Sequence, residues 1–279
     1  MSRFGFRTIN GLIYPIMQGI SPIPPVLDVY PTANAAYSLR LLRTAYTGNA
    51  IRVRRSSDNT ELNIGFIGSD LDTTTLTNFV GAGNGFVTTW YDQSGNVQNL
   101  TQTTAAAQPI IITSGVLETQ LGRPAVKFSK VRNDTLTTTA IINNPFSIIG
   151  VVSQDLTSLG GTRIFSSTSL NSMIVIRRSD SFVIYTSASV VTSLPSQVSN
   201  RVYLMSFLRQ TSTSYVYQDN ILVPNTATST ANWGTFAMSN SASTESFTGK
   251  ISEAIIYSNN QNANISGIHS NINSYYTIY

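Results

Sequence analysis

The chain has no cysteine and only one histidine, His269, in 279 residues. Without cysteine there is no disulfide, no thiol chemistry and no sulfur-based zinc site. One histidine leaves almost nothing from which to build a His-based metal cluster or a Ser-His-Asp triad. Charge is scarce too, since Asp, Glu, Lys and Arg make up 11% of the residues. Seventeen Lys plus Arg against 13 Asp plus Glu leave a net charge of +4. The isoelectric point of about 9.4 therefore rests on few groups and is weak grounds for a polyanionic partner. No apolar run approaches the roughly 20 residues that cross a bilayer, so membrane insertion is not expected, and with so little charge nucleic-acid binding is not expected either. The opening "MSRFGFRTINGLIYPIMQGI" places arginines ahead of apolar residues, as a signal peptide does. Asn10, Gly11 and Pro15 interrupt it, and it is expected to belong to the mature protein.

What fills the space left by charge is Ser, Thr, Asn and Gln, a surface that suits extended β structure and dense subunit contacts. Residues 1–31 stand apart. Pro15, Pro22, Pro24, Pro25 and Pro31 fix φ and remove donors, which predicts an extended arm without a helix or a central strand. Its apolar residues, among them Ile9, Leu12, Ile13 and Ile16, need a surface to cover them, either on the same domain or on a neighbouring subunit. Residues 32–279 are expected to form one β-sandwich domain.

Within that domain "TANAAYSLRLLRTAYTG" carries Ala36, Leu39, Leu42 and Tyr46 near helical spacing, which predicts a short helix ending at Gly48. The stretch 49–66 alternates. Ile51 and Val53 face one way, Arg52 and Arg54 the other, and Leu62, Ile64 and Phe66 return after a turn, which predicts a β-hairpin. Asp70 or Asp72 can cap a second helix with Leu76, Phe79 and Val80 inward. "FVTTWY" then reads as a strand and "DQSGN" as a turn. Beyond residue 100 the chain is a succession of short apolar or alternating segments parted by turn residues, the pattern of a mainly β jelly-roll sandwich. At the end Ile265, Ile268, Ile272 and Tyr275 share one helical stripe, and His269 beside it reads as a packing residue.

Two blocks carry a family resemblance. "AYSLRLLRTAYTGNAIRVRRSSDN" with "FVTTWYDQSGNVQNLTQ" resembles the start of the catalytic domain of fungal-type α-L-arabinofuranosidase B, and also a module of bacteriophage virion proteins. "FSIIGVVS", "RVYLMSFLRQTSTSYVYQDNILV" and "FTGKISEAIIYSNN" resemble strands of the concanavalin A and laminin G type of sandwich. The resemblance spans about residues 33–279. It implies a concanavalin A-like jelly roll with a few short helices. It transfers no catalytic residue, because the enzyme family's catalytic residues lie outside the matching block and its cysteines are absent here.

A glycosidase needs two carboxylates across the scissile bond. Glu118, Asp134, Asp155, Asp180, Asp219, Glu245 and Glu253 are the acids available beyond the corner. The turn aspartates Asp134, Asp180 and Asp219 read as caps of their own backbone. Glu253 would matter functionally if it pointed inward. At the corner, Trp90 or Tyr91 could stack on a sugar and Asp92, Gln93 and Asn96 could supply oxygens to it, or to a Ca²⁺ ion. No other cofactor and no other metal is expected. Arg52, Arg54 and Arg55 read as a solvated or inter-subunit face. From the virion resemblance the leading expectation is a non-enzymatic phage structural module: virion-located, homotrimeric, anchored to other virion proteins by residues 1–31, and touching a host-surface glycan through Trp90, Tyr91, Asp92 and Gln93. An arabinofuranosidase-type hydrolase is the alternative, and a free lectin the third reading.

Overall fold

A computed structural model describes residues 4–9, 12–17, 23–156, 161–167, 173–177, 182–186, 189–193, 198–224, 230, 232–239 and 246–279. Two antiparallel sheets pack face to face, as the strand pattern predicts. One runs Ile221–Val223, Thr213–Gln218, Val202–Gln210, Phe146–Gln154, Gly249–Tyr257 and Ala33–Ser38 in spatial order. The other runs Glu61–Ile64, Ile51–Arg55, Gly85–Trp90, Leu100–Thr101, Leu136–Ile142, Gly234–Met238 and Gly161–Ser166, then continues through Met173–Arg177, Phe182–Thr186 and Ser189–Ser193. The strands Ile110–Thr113 and Val126–Phe128 join the two layers, pairing with Gly85–Trp90 on one side and Gly249–Tyr257 on the other.

The first sheet is buried on both faces. Tyr37, Phe146, Ile148, Tyr203 and Phe207 meet Leu136, Phe165, Phe236 and Met238 of the opposite sheet. The rings of Tyr37 and Phe236 stack across the gap, with centroids 6.3 Å apart. Ala36, Ile149, Leu204, Leu208, Ile255 and Tyr257 form the other face, covered by Ile265, Ile268, Ile272 and Tyr276 of the C-terminal helix Ile265–Tyr276 and by Val26 and Leu27. Every residue of Phe146–Gln154 is buried, which is why that strand reads as an unbroken apolar run rather than an alternation. Its one glycine has a packing reason: a Cβ on Gly150 would lie 2.6 Å from the Phe165 ring.

The hairpin Ile51–Arg55/Glu61–Ile64 forms as the alternation predicts, with Ile51 and Val53 buried and Arg52 exposed. Helix Thr73–Val80 starts at Asp72, whose carboxylate accepts from Thr75 N at 2.9 Å. Two expectations need correction. Ala36 to Tyr46 is no helix: Ala33–Ser38 is a strand paired to Gly249–Tyr257, and turns follow. Both of its faces are covered, so apolar residues fall at every phase and their spacing carries no period. Residues 1–31 are not simply extended either. Phe4–Ile9 and Leu12–Met17 pair as a hairpin, and Val26–Val29 is a short helix entered at Pro25. Proline at a helix entry loses nothing, because the first N–H groups have no intrahelical acceptor. No helix among the described residues is long and apolar enough to cross a membrane.

Candidate active-site cleft

The corner after Trp90 is held by its own polar side chains. Asp92 is buried, and its Oδ1 accepts from Ala36 N and Ser94 N at 2.8 Å. Its Oδ2 accepts from Ser94 Oγ at 2.7 Å and Gln98 N at 3.0 Å. Gln93 is fully buried, accepting from Leu42 N at 2.8 Å and donating to Ser38 O and Arg40 O at 3.0 Å. Trp90 is in the core with no exposed surface. Of the expected ligand residues only Tyr91 is half-exposed, and its hydroxyl donates to Asn63 Oδ1 at 2.8 Å. The open side of the corner is therefore made by Tyr91, Ser94 and Asn96 rather than by Trp90, Asp92 and Gln93. The oxygens of Asp92 that a Ca²⁺ ion would need already accept four donors, and no group of three metal-ligating side chains occurs among the described residues.

Glu253 points inward, and a register shift decides which way. In the pairing of Gly249–Tyr257 with Phe146–Gln154, Val151 opposes Glu253 and Val152 opposes Ile251, so Ser252 is an extra residue. A bulge of this kind reverses the parity of side chains beyond it. Ile251 therefore packs between the sheets while Ile255 packs under the C-terminal helix. Glu253 shares the helix side with Ser38, its partner across the neighbouring strand. Arg40 clasps it with both prongs, Nε to Oε2 at 2.7 Å and Nη2 to Oε1 at 3.0 Å. Ser38 Oγ and Tyr276 OH donate to Oε2 at 2.9 and 3.2 Å. Burial alone would lower the Arg40 pKa, but the charge and hydrogen bonds of Glu253 outweigh it and raise it. Burial, with Glu253 second, lifts the Tyr276 hydroxyl well above its usual value.

Arg40 also reaches outward. Its Nη1 donates to Asn271 Oδ1 at 3.2 Å, and its guanidinium lies 5.0 Å from the Tyr275 ring. Here a cleft of about 550 Å³ opens, lined by Asp28, Arg40, Thr44, Arg123, Asn271 and Tyr275, with Ser69 on its edge. Asp28 accepts from Thr44 N at 3.1 Å, and Asp70 accepts from the Tyr275 hydroxyl at 2.5 Å. Arg123 lies 3.6 Å from Asp70 and stacks on the Tyr275 ring at 4.1 Å. Burial, followed by the bond to Asp70, raises the Tyr275 pKa, so the phenol stays a donor. Asp28, Arg123 and Tyr275 thus line the cleft with the buried Arg40 and Asn271 beside them, and Asp70 is bonded to Tyr275 next to it.

Glu118, Asp134 and Asp219 are spent elsewhere. Burial would raise Glu118, but Lys250, Thr113 and Lys127 hold it at about 2. Asp134 is fully buried; it accepts from Ser129 N at 2.7 Å, pairs with Arg132, and is pushed up to about 6 by burial. Asp219 accepts from Leu204 N at 2.9 Å and pairs with Arg201. Asp180 and Glu245 lie outside the described residues. Sequence reasoning passed over Asp28 and Asp70, which sit far apart in the chain. The only sign of Asp70 was its place before a helix start. Arg52 pairs with Glu61 and Arg55 with Asp58, so the arginine cluster is a solvated face. His269 is a packing residue as expected, bonded to Ser206 Oγ at 2.7 Å and Asn220 Oδ1 at 3.1 Å, and burial lowers it to about 4.

Residues 28–119 match the family described as "Alpha-L-arabinofuranosidase B, catalytic". No curated protein matches the chain in sequence. Among solved structures, a GH54 α-L-arabinofuranosidase soaked with a cyclic sulfate inhibitor is similar at TM-score 0.66 and 16% identity, over 88% of this chain and 64% of that one. An arabinofuranosidase complexed with arabinofuranosyl-α-1,2-xylobiose is similar at TM-score 0.68 and 16% identity, with the same coverage. The chain thus spans less than two thirds of these relatives' length, 64%. At this identity the structures establish the shared sandwich fold. The expectation of a non-enzymatic virion module is overturned: the family that matches is the catalytic part of an enzyme, and neither it nor these structures is a phage structural protein.

Proposed function

We propose that the chain is a glycoside hydrolase of the α-L-arabinofuranosidase type that binds its substrate in the cleft between Asp28 and Tyr275. The observation that carries this reading is the extent of the family match. Residues 28–119 include Asp28, Arg40, Thr44 and Ser69 of the cleft lining, and Asp70, which is bonded to Tyr275 of that lining. Hydrolysis of a glycoside needs one carboxyl group to protonate the leaving oxygen and another to attack the anomeric carbon or activate water. Asp28, on the cleft lining, and Asp70, bonded to Tyr275, take these roles by their place at this cleft and not by the family match. Thr44 orients the first, and Tyr275 with Arg123 orients the second. Arg40 and Asn271 stand beside them as donors to sugar hydroxyls.

The test is release of 4-nitrophenol from 4-nitrophenyl α-L-arabinofuranoside. Asp28→Asn and Asp70→Asn should each lower kcat by about two to four orders of magnitude, the range for loss of an acid–base group. Wild-type protein that releases nothing from any aryl glycofuranoside sinks the hydrolase reading. Activity that survives both substitutions but is lost in Asp180→Asn or Glu245→Gln keeps the hydrolase and removes it from this cleft.

A further inference from the structure

A second cleft, of about 520 Å³, lies beside the corner and has been given no role by the hydrolase reading. Thr32, Asn34, Arg43, Ser94, Asn96 and Ser258 line it. Its floor is rigid, because Asp92 ties Ser94 and Gln98 into the corner and Gln93 ties the corner to Leu42, next to Arg43. Arg43 is the only charged residue of the lining. It is exposed, donates from Nη1 to Ser94 O at 3.0 Å, and makes no ion pair among the described residues. The nearby acid Asp92 cannot serve it, since both of its oxygens are already taken by four donors.

Some neutral groups are under-used as well, although Asn34 Nδ2 donates to Ile141 O at 3.4 Å and Ser94 Oγ to Asp92. Asn96 Nδ2 donates to Ala33 O and Asn34 O at 3.0 Å. Its Oδ1 and the hydroxyls of Thr32 and Ser258 bond to no protein atom among the described residues. The backbone is unusual at the same place. Thr32 on the lining and Val97, next to Asn96 in the chain and 76% exposed, hold φ of 72° and 58°. β-Branched residues rarely adopt left-handed φ, and such outliers collect at binding sites. Gly95, between Ser94 and Asn96, has φ 98°, and a Cβ there would sit 3.0 Å from Arg43 Nη1. Glycine keeps the guanidinium close against the corner.

We propose that this cleft binds a carboxylated sugar, a hexuronate unit, with its carboxylate on Arg43 and its hydroxyls on the amides and hydroxyls of Asn34, Asn96 and Ser258. A guanidinium recognises a planar carboxylate through paired N–H donors, and neutral amides and hydroxyls match the alternating donors and acceptors of a sugar ring. The assignment does not depend on turnover, so it stands or falls apart from the hydrolase reading.

Isothermal titration of the full chain with digalacturonate tests it, with the methyl ester of the same disaccharide as the uncharged control. Digalacturonate binds wild type. The methyl ester, and digalacturonate with Arg43→Gln, each bind at least about tenfold more weakly; Arg43→Lys keeps part of the affinity. Ser258→Trp, which fills the cleft from an exposed position, removes binding while the melting temperature is unchanged. Absence of digalacturonate binding to wild type overturns the proposal. So does equal affinity for the ester. So does unchanged binding in Arg43→Gln or, should that variant not fold, in folded Ser258→Trp.

Discussion

Asp92 and Glu253 are both buried acids beside the strand Ala33–Ser38, and they are satisfied in opposite ways. Asp92 is 4% exposed and is met only by neutral donors, three backbone N–H groups and one hydroxyl. Glu253 is 1% exposed and is met by a guanidinium, with a hydroxyl and a phenol completing the shell. The difference follows from where each sits. Asp92 lies in a turn, where free N–H groups cluster because no strand pairs with them, so short-range dipoles suffice. Glu253 lies mid-strand, where the backbone donors are already used in the sheet. Only a side chain can reach it, and Arg40 arrives from the end of the adjacent strand. The first arrangement stabilises a corner. The second fastens a sheet to its covering helix and leaves the outer prong of Arg40 facing a cleft.

Breaking the ionic member should cost most. Arg40→Met leaves a buried carboxylate without its partner, and equilibrium urea unfolding should show a loss of about 3–5 kcal/mol. The double variant Arg40→Met, Glu253→Leu should recover most of that loss, because it removes both charges together. A double variant as unstable as the single would mean that packing, not the uncompensated charge, dominates.

His269 extends the comparison to a titrating group that has only neutral partners, Ser206 and Asn220. Its folded pKa of about 4 lies below the ordinary value of 6.5. Between these values the unfolded chain takes up the proton and the folded chain does not. Stability is therefore full above about pH 6.5 and falls as the pH drops towards 4, by on the order of 3 kcal/mol in all. His269→Gln should flatten that part of the stability–pH curve; an unchanged slope would place its origin in other groups.

For Asp92, replacement by Asn keeps Oδ1 and turns the Oδ2 acceptor into a donor facing Gln98 N and Ser94 Oγ. We expect a loss of about 1–3 kcal/mol, read by the same urea titration. A variant as stable as wild type would show that solvent replaces those bonds and that the corner is not held by its acid. The exposed counterpart is Arg52→Ala, which removes the solvent-facing pair with Glu61 and should leave the midpoint of unfolding unchanged. A loss there approaching that of Arg40→Met would erase the distinction drawn between buried and solvated pairs.

Much of the sandwich was legible in the chain. Ile51 and Val53 alternate with Arg52 because one face of that strand meets solvent, and a period of two survives. Asp72 announces its helix because capping is settled within three residues. The jelly-roll pattern and the C-terminal stripe also hold, with Tyr276 rather than Tyr275 completing the buried side. The strand Ala33–Ser38 was hidden because both its faces are covered. Asp28 and Asp70 were hidden because their cleft is assembled from the helix entry, the turn before Thr73, and a helix some two hundred residues away.

The sequence by itself determined that the protein would be a β-sandwich with no thiol chemistry, because strand periodicity, turn residues and the absence of cysteine are local properties that any fold must accommodate. It also determined that the corner would close on Asp92, since that acid and most of its donors lie within six residues. Only the tertiary structure decided that Glu253 faces the helix and binds Arg40. That outcome depends on a bulge at Ser252, and a bulge is a mismatch between two strands that neither strand encodes alone.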